Sequence, residues 1–272
     1  MTCKQKITKM LLELEQQHEI GKSSIIRKIE KAVCGCSYGA TSWATRKEAN
    51  HISRLLRLKP NTHLLEIGAG AGWPGIYLAK KSGCDLTLID IPLTGLITAR
   101  NQINKDNPEG NCQVVAADGI KLPFSQSSFK KILHTDLLCC LPKKMAALKS
   151  MKTVISDTGQ MIFSVIYIPE GLSKKAKSKA IKGAPIFAQT QKNYPDMLKE
   201  SGWEIMKSQD LSPQYLKSVN KQIFNENYNK DKLDALRGSK KNNETLTYRK
   251  ATKTALEEGL IKRIMFSVIP KN

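Results

Sequence analysis

A glycine-rich turn between two apolar segments is the part of the chain best suited to bind a ligand. An apolar segment at 64–67 leads into a turn in which every second residue is glycine, at Gly68, Gly70 and Gly72. Glycine lets the backbone turn sharply and approach a ligand closely. A second apolar segment ends at Asp90, and a carboxylate about 20 positions beyond such glycines can accept hydrogen bonds from ribose hydroxyls. The chain is therefore predicted to bind a compound built on adenosine.

Two residues of this segment argue against a dinucleotide. The turn contains a literal Gly-x-Gly-x-x-Gly match, but counted from the strand end the first glycine is Gly68 and the third position falls on Trp73. An indole does not fit where that motif needs close packing of helix on strand. Glu66 lies at the end of the strand, where a carboxylate repels a pyrophosphate and favours a cationic ligand. A glycine-rich turn that binds no ligand is the alternative.

The run Glu66-Ile67-Gly68-Ala69-Gly70-Ala71-Gly72 resembles the signature Glu/Asp-x-Gly-x-Gly-x-Gly of the class I S-adenosylmethionine-dependent methyltransferases. The resemblance implies that the chain binds S-adenosylmethionine and releases S-adenosylhomocysteine. It also implies an aspartate at the end of the third strand that binds adenine, and Asp118 stands at that place, with capping of the next helix as its alternative. The residues assigned to the cofactor in this way are Glu66, Gly68, Ala69, Gly70, Gly72, Asp90, Ile91, Asp118, Gly119 and His134.

The alternation of apolar strands and helical segments from 63 to 168 is typical of a parallel sheet with helices on both faces. The resemblance implies an α/β fold with a seven-stranded, doubly wound sheet whose last strand is antiparallel. Residues 1–59 are predicted to form an N-terminal helical arm, and residues 60–272 the methyltransferase domain. An insertion after the fifth strand, 170–195, is expected to act as a mobile lid over the substrate.

The fourth strand is predicted over 129–135. The loop that follows it is the expected place of catalysis, because ligands in open α/β sheets sit beyond the carboxyl ends of the strands. The region looks most like the ubiquinone and menaquinone C-methyltransferases, many of which carry histidine where this chain has Cys139 and Cys140. We expect these cysteines to be small core residues. His134 is predicted to be catalytic, since an imidazole with a pKa near ~6.5 suits proton removal. A histidine that tethers the strand end is the alternative.

Aromatic residues outside the glycine turn are the expected contacts of the reacting groups. In the resembled family an N-terminal arm often places aromatic side chains against the sulfonium, whose positive charge an aromatic face stabilises. Tyr38 is therefore predicted to be catalytic together with His134, and simple packing of the arm on the body is the alternative. The predicted acceptor pocket contains Tyr38, Trp43, Tyr167, Phe187 and Tyr194.

The composition indicates a cytoplasmic protein without a membrane span or a metal site. No apolar run reaches the ~18 residues that a transmembrane helix needs. The seven cysteines are an odd number without paired spacing, which favours a reducing compartment and no structural zinc. Neither the oligomeric state nor the acceptor atom follows from the sequence.

The formal net charge of +20 leaves a polyanionic partner open. Most of the basic residues are lysine, whereas dedicated phosphate sites favour the arginine fork, so nucleic acid is not the favoured partner. The predicted function is methyl transfer to a small organic acceptor, because the insertion at 170–195 favours a closed pocket. The alternatives are a methyltransferase of RNA or protein, and a non-catalytic module that binds S-adenosylmethionine.

Overall fold

Seven strands pair into one mixed sheet in the computed structural model, which describes residues 2–39 and 41–271. The strands are β1 (His63–Ile67), β2 (Asp85–Asp90), β3 (Cys112–Ala116), β4 (Phe129–Thr135), β5 (Ile155–Tyr167), β6 (Trp203–Asp210) and β7 (Lys262–Pro270). Their order in the sheet is β3-β2-β1-β4-β5-β7-β6. Strand β7 runs antiparallel to both of its neighbours, so the predicted seven-stranded sheet with an antiparallel last strand is confirmed.

Eleven α-helices accompany the sheet in the described part of the chain. They are α1 (Cys3–Gly21), α2 (Ser24–Cys34), α3 (Arg46–Leu56), α4 (Gly75–Ser82), α5 (Leu93–Asp106), α6 (Lys144–Val154), α7 (Lys174–Gly183), α8 (Tyr194–Glu200), α9 (Ser212–Tyr228), α10 (Lys230–Arg237) and α11 (Ser239–Glu257). None of the helices within the described residues has the length and apolar character that a membrane span requires.

Alternate residues of the central strands pack into two apolar clusters, one on each face of the sheet. In β1, Leu64 joins one cluster and Leu65 the other. In β2, Leu88 and Ile89 divide in the same way. This follows from the two-residue period of a strand. Helices therefore cover both faces and leave the carboxyl ends of β1 to β5 together at one edge of the sheet.

The predicted N-terminal arm consists of α1, α2 and α3. The helices begin where hydroxyl side chains cap them: the hydroxyls of Thr2, Ser23 and Thr45 each accept a backbone N–H of the first turn. Helix α1 packs on α5, α2 on α9, and α3 on α4 and β5. The arm thus contacts helices on both sides of the carboxyl edge of the sheet.

Strand β5 is longer than the sequence predicts. We expect it to begin at Gly159, because glycine and aspartate are typical of a turn. In the structure it begins at Ile155, and the register jumps because Phe129 pairs with Ile155 whereas Lys131 pairs with Gln160. The irregularity absorbs the turn-like residues inside the strand.

Candidate active site

The glycine turn connects β1 to α4 in a backbone conformation that favours glycine. Gly68, Gly70 and Gly72 have φ of 71°, 50° and 87°, in the left-handed region that other residues adopt only at a cost. The N–H groups of Gly68 and Ala69 donate to the carbonyl of Ile89 at 2.9 and 3.0 Å. The turn is therefore held against the end of β2.

Asp90 ties the turn to the end of β2 through its carboxylate. It accepts the N–H of Gly70 and the N–H of Ile91, each at 2.7 Å. The residue as a whole retains some exposure, but its carboxylate is enclosed, and burial raises the pKa of Asp90 to about 6 although both N–H donors lower it. A carboxylate has about four acceptor positions, so Asp90 can still accept further donors from a ligand. Next to it, the Ile91 side chain is 41 % exposed.

Glu66 lies beneath the turn and supports it. Its Oε2 accepts the N–H of Gly75 at 2.9 Å, and the residue is 1 % exposed. A Cβ added at Gly75 would lie 2.0 Å from this oxygen, so only glycine fits there. Burial raises the pKa of Glu66 to about 8, against the Gly75 hydrogen bond, and the charge of Asp90 adds to the rise.

Replacing Glu66 by glutamine is expected to remove a pH dependence of stability. An unfolded glutamate titrates near ~4.3, whereas the buried carboxyl holds its proton to about pH 8. The folded state thus binds the extra proton, and the free energy of unfolding falls as pH rises between these values, by at most about 1.4 kcal/mol per pH unit. Glutamine keeps the acceptor for Gly75 and carries no charge. Denaturant unfolding of the ligand-free proteins should find Glu66→Gln more stable than the parent at pH 8 and close to it at pH 5; parallel pH profiles would contradict this.

Helix α1 covers the glycine turn, a contact that the sequence analysis missed. A Cβ added at Gly70 or at Gly95 would each lie 2.9 Å from the ring of His18, which is 2 % exposed. Three residues earlier, the Glu15 carboxylate accepts the N–H groups of Leu93 and Thr94 at 2.8 and 3.0 Å, at the start of α5. Glu15 and His18 share one face of the helix, and this spacing is the only signal that the sequence offers.

The loops after β1, β3 and β4 meet around Leu137. A Cβ added at Gly68 would lie 2.9 Å from the Leu137 side chain, and one at Gly119 would lie 3.9 Å from it. Asp118 is in the turn after β3, where its Oδ1 accepts the N–H of Ile120 at 3.0 Å. The structure therefore brings the predicted residues of the glycine turn, Asp90, Asp118 and Gly119 to one edge of the sheet.

His134 is placed differently from its predicted role. It precedes the last residue of β4, but its ring is fully buried and stacks on Phe163, with 4.7 Å between the ring centroids. Neither ring nitrogen has a hydrogen-bond partner among the described residues, and burial lowers the pKa of His134 to about 3. A neutral imidazole enclosed by the core does not fit proton transfer or cofactor binding, and it does not tether the strand end by a hydrogen bond.

Tyr38 is also placed away from the expected site. Its hydroxyl donates to Asp106 Oδ2 at 2.7 Å, at the end of α5, and its ring lies 5.3 Å from that of Trp73. Burial, more than the neighbouring Asp106, raises the pKa of Tyr38. The residue belongs to the apolar cluster on the other face of the sheet. This corrects both predictions for Tyr38, because its phenol already has a structural partner.

The other predicted pocket residues lie on one side of the loop after β4. The Trp43 ring meets the Tyr215 ring edge-on at 5.0 Å, and the rings of Tyr167 and Tyr194 are 5.9 Å apart. The backbone N–H of Phe187 donates to the carbonyl of Cys139 at 3.0 Å. Cys139 is buried, as predicted for a core residue, and its thiol donates to the carbonyl of Asp136 at 2.9 Å.

The predicted lid, 170–195, is attached to the helices beyond it. The Thr252 hydroxyl on α11 donates to the carbonyl of Gly183 at 2.8 Å. The Lys144 ammonium donates to the carbonyls of Leu141 and Phe187 at 2.8 and 2.7 Å, which joins the segment to the loop after β4. These contacts fix the segment against α11 and against the loop after β4.

A buried ion network at the end of β4 is the second feature that the sequence analysis missed. Arg263 on β7 is 1 % exposed. Its terminal nitrogens donate to both carboxylate oxygens of Glu48 at 2.8 Å, its Nε donates to Asp136 at 3.0 Å, and Nη2 reaches the Ser164 hydroxyl at 3.0 Å. The network joins α3 of the arm to the loop after β4. An arginine inside a mostly apolar strand is the only signal in the sequence.

The chain is similar to known methyltransferases. A family model described as "Methyltransferase domain" matches residues 58–225. The methyltransferase GfsG of Streptomyces halstedii is 22% identical over 156 residues, which cover 56% of each chain. The 24-methylenesterol C-methyltransferase 2 of Oryza sativa subsp. japonica is 25% identical over 180 residues, 62% of this chain and 48% of that one. The chain thus spans about half the length of these curated relatives.

Solved structures share the fold. Phosphoethanolamine N-methyltransferase 2 of Haemonchus contortus, in complex with phosphomonomethylethanolamine and S-adenosylhomocysteine, superposes with a TM-score of 0.76 at 11% identity. The match covers 92% of this chain and 58% of that chain. With the sheet order, the glycine turn and a family model that matches more than half of its length, the chain belongs to the methyltransferase domain family.

Proposed function

We propose that this protein transfers a methyl group from S-adenosylmethionine to a small organic acceptor. The observation that carries the proposal is the glycine turn held by the Asp90 carboxylate at the carboxyl edge of the sheet. The turn leaves no room for a Cβ at Gly72 or Gly75, where added atoms would lie 2.2 Å from Ile76 and 2.0 Å from Glu66. A backbone shaped in this way is suited to close approach by a ligand.

The residues at this edge fit the cofactor. Asp90 would accept the ribose hydroxyls with the acceptor positions that Gly70 and Ile91 leave open, and Asp118 would accept the adenine amino group. The Asp90 carboxylate favours a cation nearby, whereas Glu66 supports the turn through Gly75. Helix α1 lies over the turn through His18. When bound, S-adenosylmethionine supplies a methyl group on a positively charged sulfur.

Catalysis in this proposal rests on alignment and the exclusion of water. A direct displacement needs the acceptor held in line with the methyl group at close range. The loop after β4 supplies one wall, fixed by Arg263 through Asp136, and the segment around Phe187 supplies another. Neither His134 nor Tyr38 is in a position to act as a base, so an acceptor that is already nucleophilic suits this site best.

A small acceptor is favoured because aromatic residues from the segment before α3, from α8 and from α9 face the loop after β4. The high positive charge supports an RNA or protein acceptor as the second candidate. We also propose a reducing compartment such as the cytoplasm for this protein, and its free cysteines support that proposal.

Calorimetry and a methylation assay test the proposal. We expect S-adenosylhomocysteine to bind and NAD not to bind. With S-adenosylmethionine carrying a labelled methyl group, we expect label in the small-molecule fraction of a cell extract and not in its RNA or protein. Binding of NAD in place of S-adenosylhomocysteine would contradict the cofactor. RNA binding tighter than the ~10⁻⁴–10⁻⁶ M of non-specific association at physiological salt would favour the second candidate.

A further inference from the structure

A guanidinium group with no hydrogen-bond or ion-pair partner among residues 2–39 and 41–271 lies against the aromatic residues of the acceptor side. The Cζ of Arg249, on α11, is 4.8 Å from the centre of the Trp43 ring and 6.0 Å from that of Tyr248. Its Nε is buried and has no hydrogen-bond partner within the described residues. A buried donor that is left unpaired costs free energy. The Arg249 side chain is therefore better accommodated when a ligand supplies a hydrogen-bond acceptor.

The nearby carboxylates are engaged by other arginines. Glu226 on α9 lies 3.8 Å from Arg237 and accepts a hydrogen bond from Gln222 at 2.7 Å. Asp136 is held by Arg263, in the network that also includes Glu48. Glu226 Oε2 has no hydrogen-bond partner among the described residues, but no ion pair joins it to Arg249. Arg249 is therefore a cation whose present contacts are the faces of two aromatic rings.

Aromatic rings lie against this cation, and a second unpaired polar group lies in the same apolar cluster as the loop after β4. The Trp43 ring is held edge-on by Tyr215, which is 2 % exposed. The hydroxyl of Tyr194 is buried without a hydrogen-bond partner in the described part of the chain. After burial, the neighbouring Cys139 and Cys140 are the main groups that raise the pKa of Tyr194. The same two cysteines also raise the pKa of Tyr248, which burial raises and Arg249 lowers, so both phenols face the loop after β4.

We propose that these residues bind a carboxylate of a flat, unsaturated acceptor, and that the methyl acceptor is therefore an organic acid. We call the set Trp43, Tyr215, Tyr248 and Arg249 the Arg249 cluster. A guanidinium stacked on an indole keeps the N–H groups of its edge free, and these fit the two oxygens of a carboxylate. The indole and the Tyr215 ring pack against the apolar body of the ligand. The inference rests on the proposed function and names the substrate class of that site.

A surface groove offers a route to the cluster for an anion. It runs between α7 and α11 and is lined by Lys182, Lys240 and Glu244 together with Tyr248. Tyr248 thus lines the groove and contacts Arg249. Two cations beside one carboxylate give the groove an excess of positive charge, which raises the local concentration of an organic anion.

Matched pairs of acids and their neutral amides test the inference. We would saturate the protein with S-adenosylhomocysteine and measure binding of 4-hydroxybenzoate against 4-hydroxybenzamide, and of indole-3-acetate against indole-3-acetamide, by calorimetry. We expect the acid to bind more tightly in at least one pair. Arg249→Gln should weaken that acid by about 10- to 100-fold, the range for loss of a charge-assisted hydrogen bond, and should leave the amide unchanged. Lys250→Gln, an exposed neighbour on α11, is the matched control.

The outcomes separate this inference from the proposed function. Binding of S-adenosylhomocysteine without any preference for an acid overturns the inference and leaves the proposed function standing. Failure of S-adenosylhomocysteine to bind overturns both. If Arg249 serves only to pair with Glu226, then Glu226→Gln will weaken the acid as much as Arg249→Gln does, which also overturns the inference. Near-normal affinity in Arg249→Lys would show that a charge suffices, and the bidentate part of the inference would be wrong.

Discussion

Replacing Asp90 by asparagine is expected to weaken binding of S-adenosylhomocysteine by at least 10-fold, equivalent to about 1.5–3 kcal/mol for a hydrogen bond to a charged group. Asp90 accepts the N–H groups of Gly70 and Ile91 at 2.7 Å. An asparagine can satisfy only one of them, since its amide nitrogen is a donor. The variant therefore loses the charge that the ribose hydroxyls need and loosens the turn that surrounds the ligand. Calorimetry of the purified variant measures the effect.

Asp85→Asn is the matched control for this experiment. Asp85 begins the same strand, and its carboxylate likewise accepts a backbone N–H, that of Asn111 at 2.8 Å. The substitution therefore removes a carboxylate charge at a comparable backbone contact on the opposite edge of the sheet, while the amide oxygen can still accept the Asn111 N–H. We expect it to lower stability slightly and to leave affinity unchanged. Equal affinity losses in the two variants would mean that Asp90 acts only through stability.

The parts of this site that the sequence predicts depend on local backbone chemistry. These parts are neighbours along the chain or one βαβ unit apart. They are the strand that ends at Ile67, three glycines in left-handed conformations, and a carboxylate at the end of the next strand. Their spacing therefore carries the geometry. The antiparallel last strand came from the family resemblance and not from the residues themselves.

The parts that the sequence does not predict depend on contacts between distant segments. The role of His134 fails because strand position predicts that the residue lies near the edge of the sheet but not which face its ring occupies. Tyr38 fails because its partner, Asp106, lies 68 positions away. His18 and Arg263 were missed for the same reason, since each contacts residues that only the folded chain brings near. In a sequence, a buried histidine or arginine cannot be told from an exposed one. Only the folded structure shows which partners the buried side chain has.

The two missed contacts share a consequence for the reaction. Helix α1 reaches the glycine turn through His18, and α3 reaches the loop after β4 through Glu48 and Arg263. The arm therefore contacts both the proposed cofactor side and the proposed acceptor side. The network of Arg263, Glu48 and Asp136 joins the arm to the loop after β4. The stability of this network therefore affects how both sides of the site are held.

Arg263→Met is expected to cause the largest loss of stability, about 3–5 kcal/mol, because it leaves buried carboxylates without their cation. Arg263 is 1 % exposed, and the side chains of Glu48 and Asp136 are 7 % and 9 % exposed. Methionine replaces the arginine stem but none of its donors. Denaturant unfolding should measure the loss, and we expect the parent and the variant to have the same m-value. Lys262→Met, at the exposed preceding position, is the control and should change stability by no more than ~0.5 kcal/mol.

A triple variant distinguishes stranded charge from lost packing. Adding Glu48→Gln and Asp136→Asn to Arg263→Met removes both unpaired charges while keeping side chains of similar size. If the loss arises from stranded carboxylates, the triple variant should recover a large part of the stability that Arg263→Met loses, since replacing a whole buried ion network by neutral groups is often far less costly than breaking it. If the triple variant is less stable than Arg263→Met, the carboxylates stabilise the fold through partners other than Arg263.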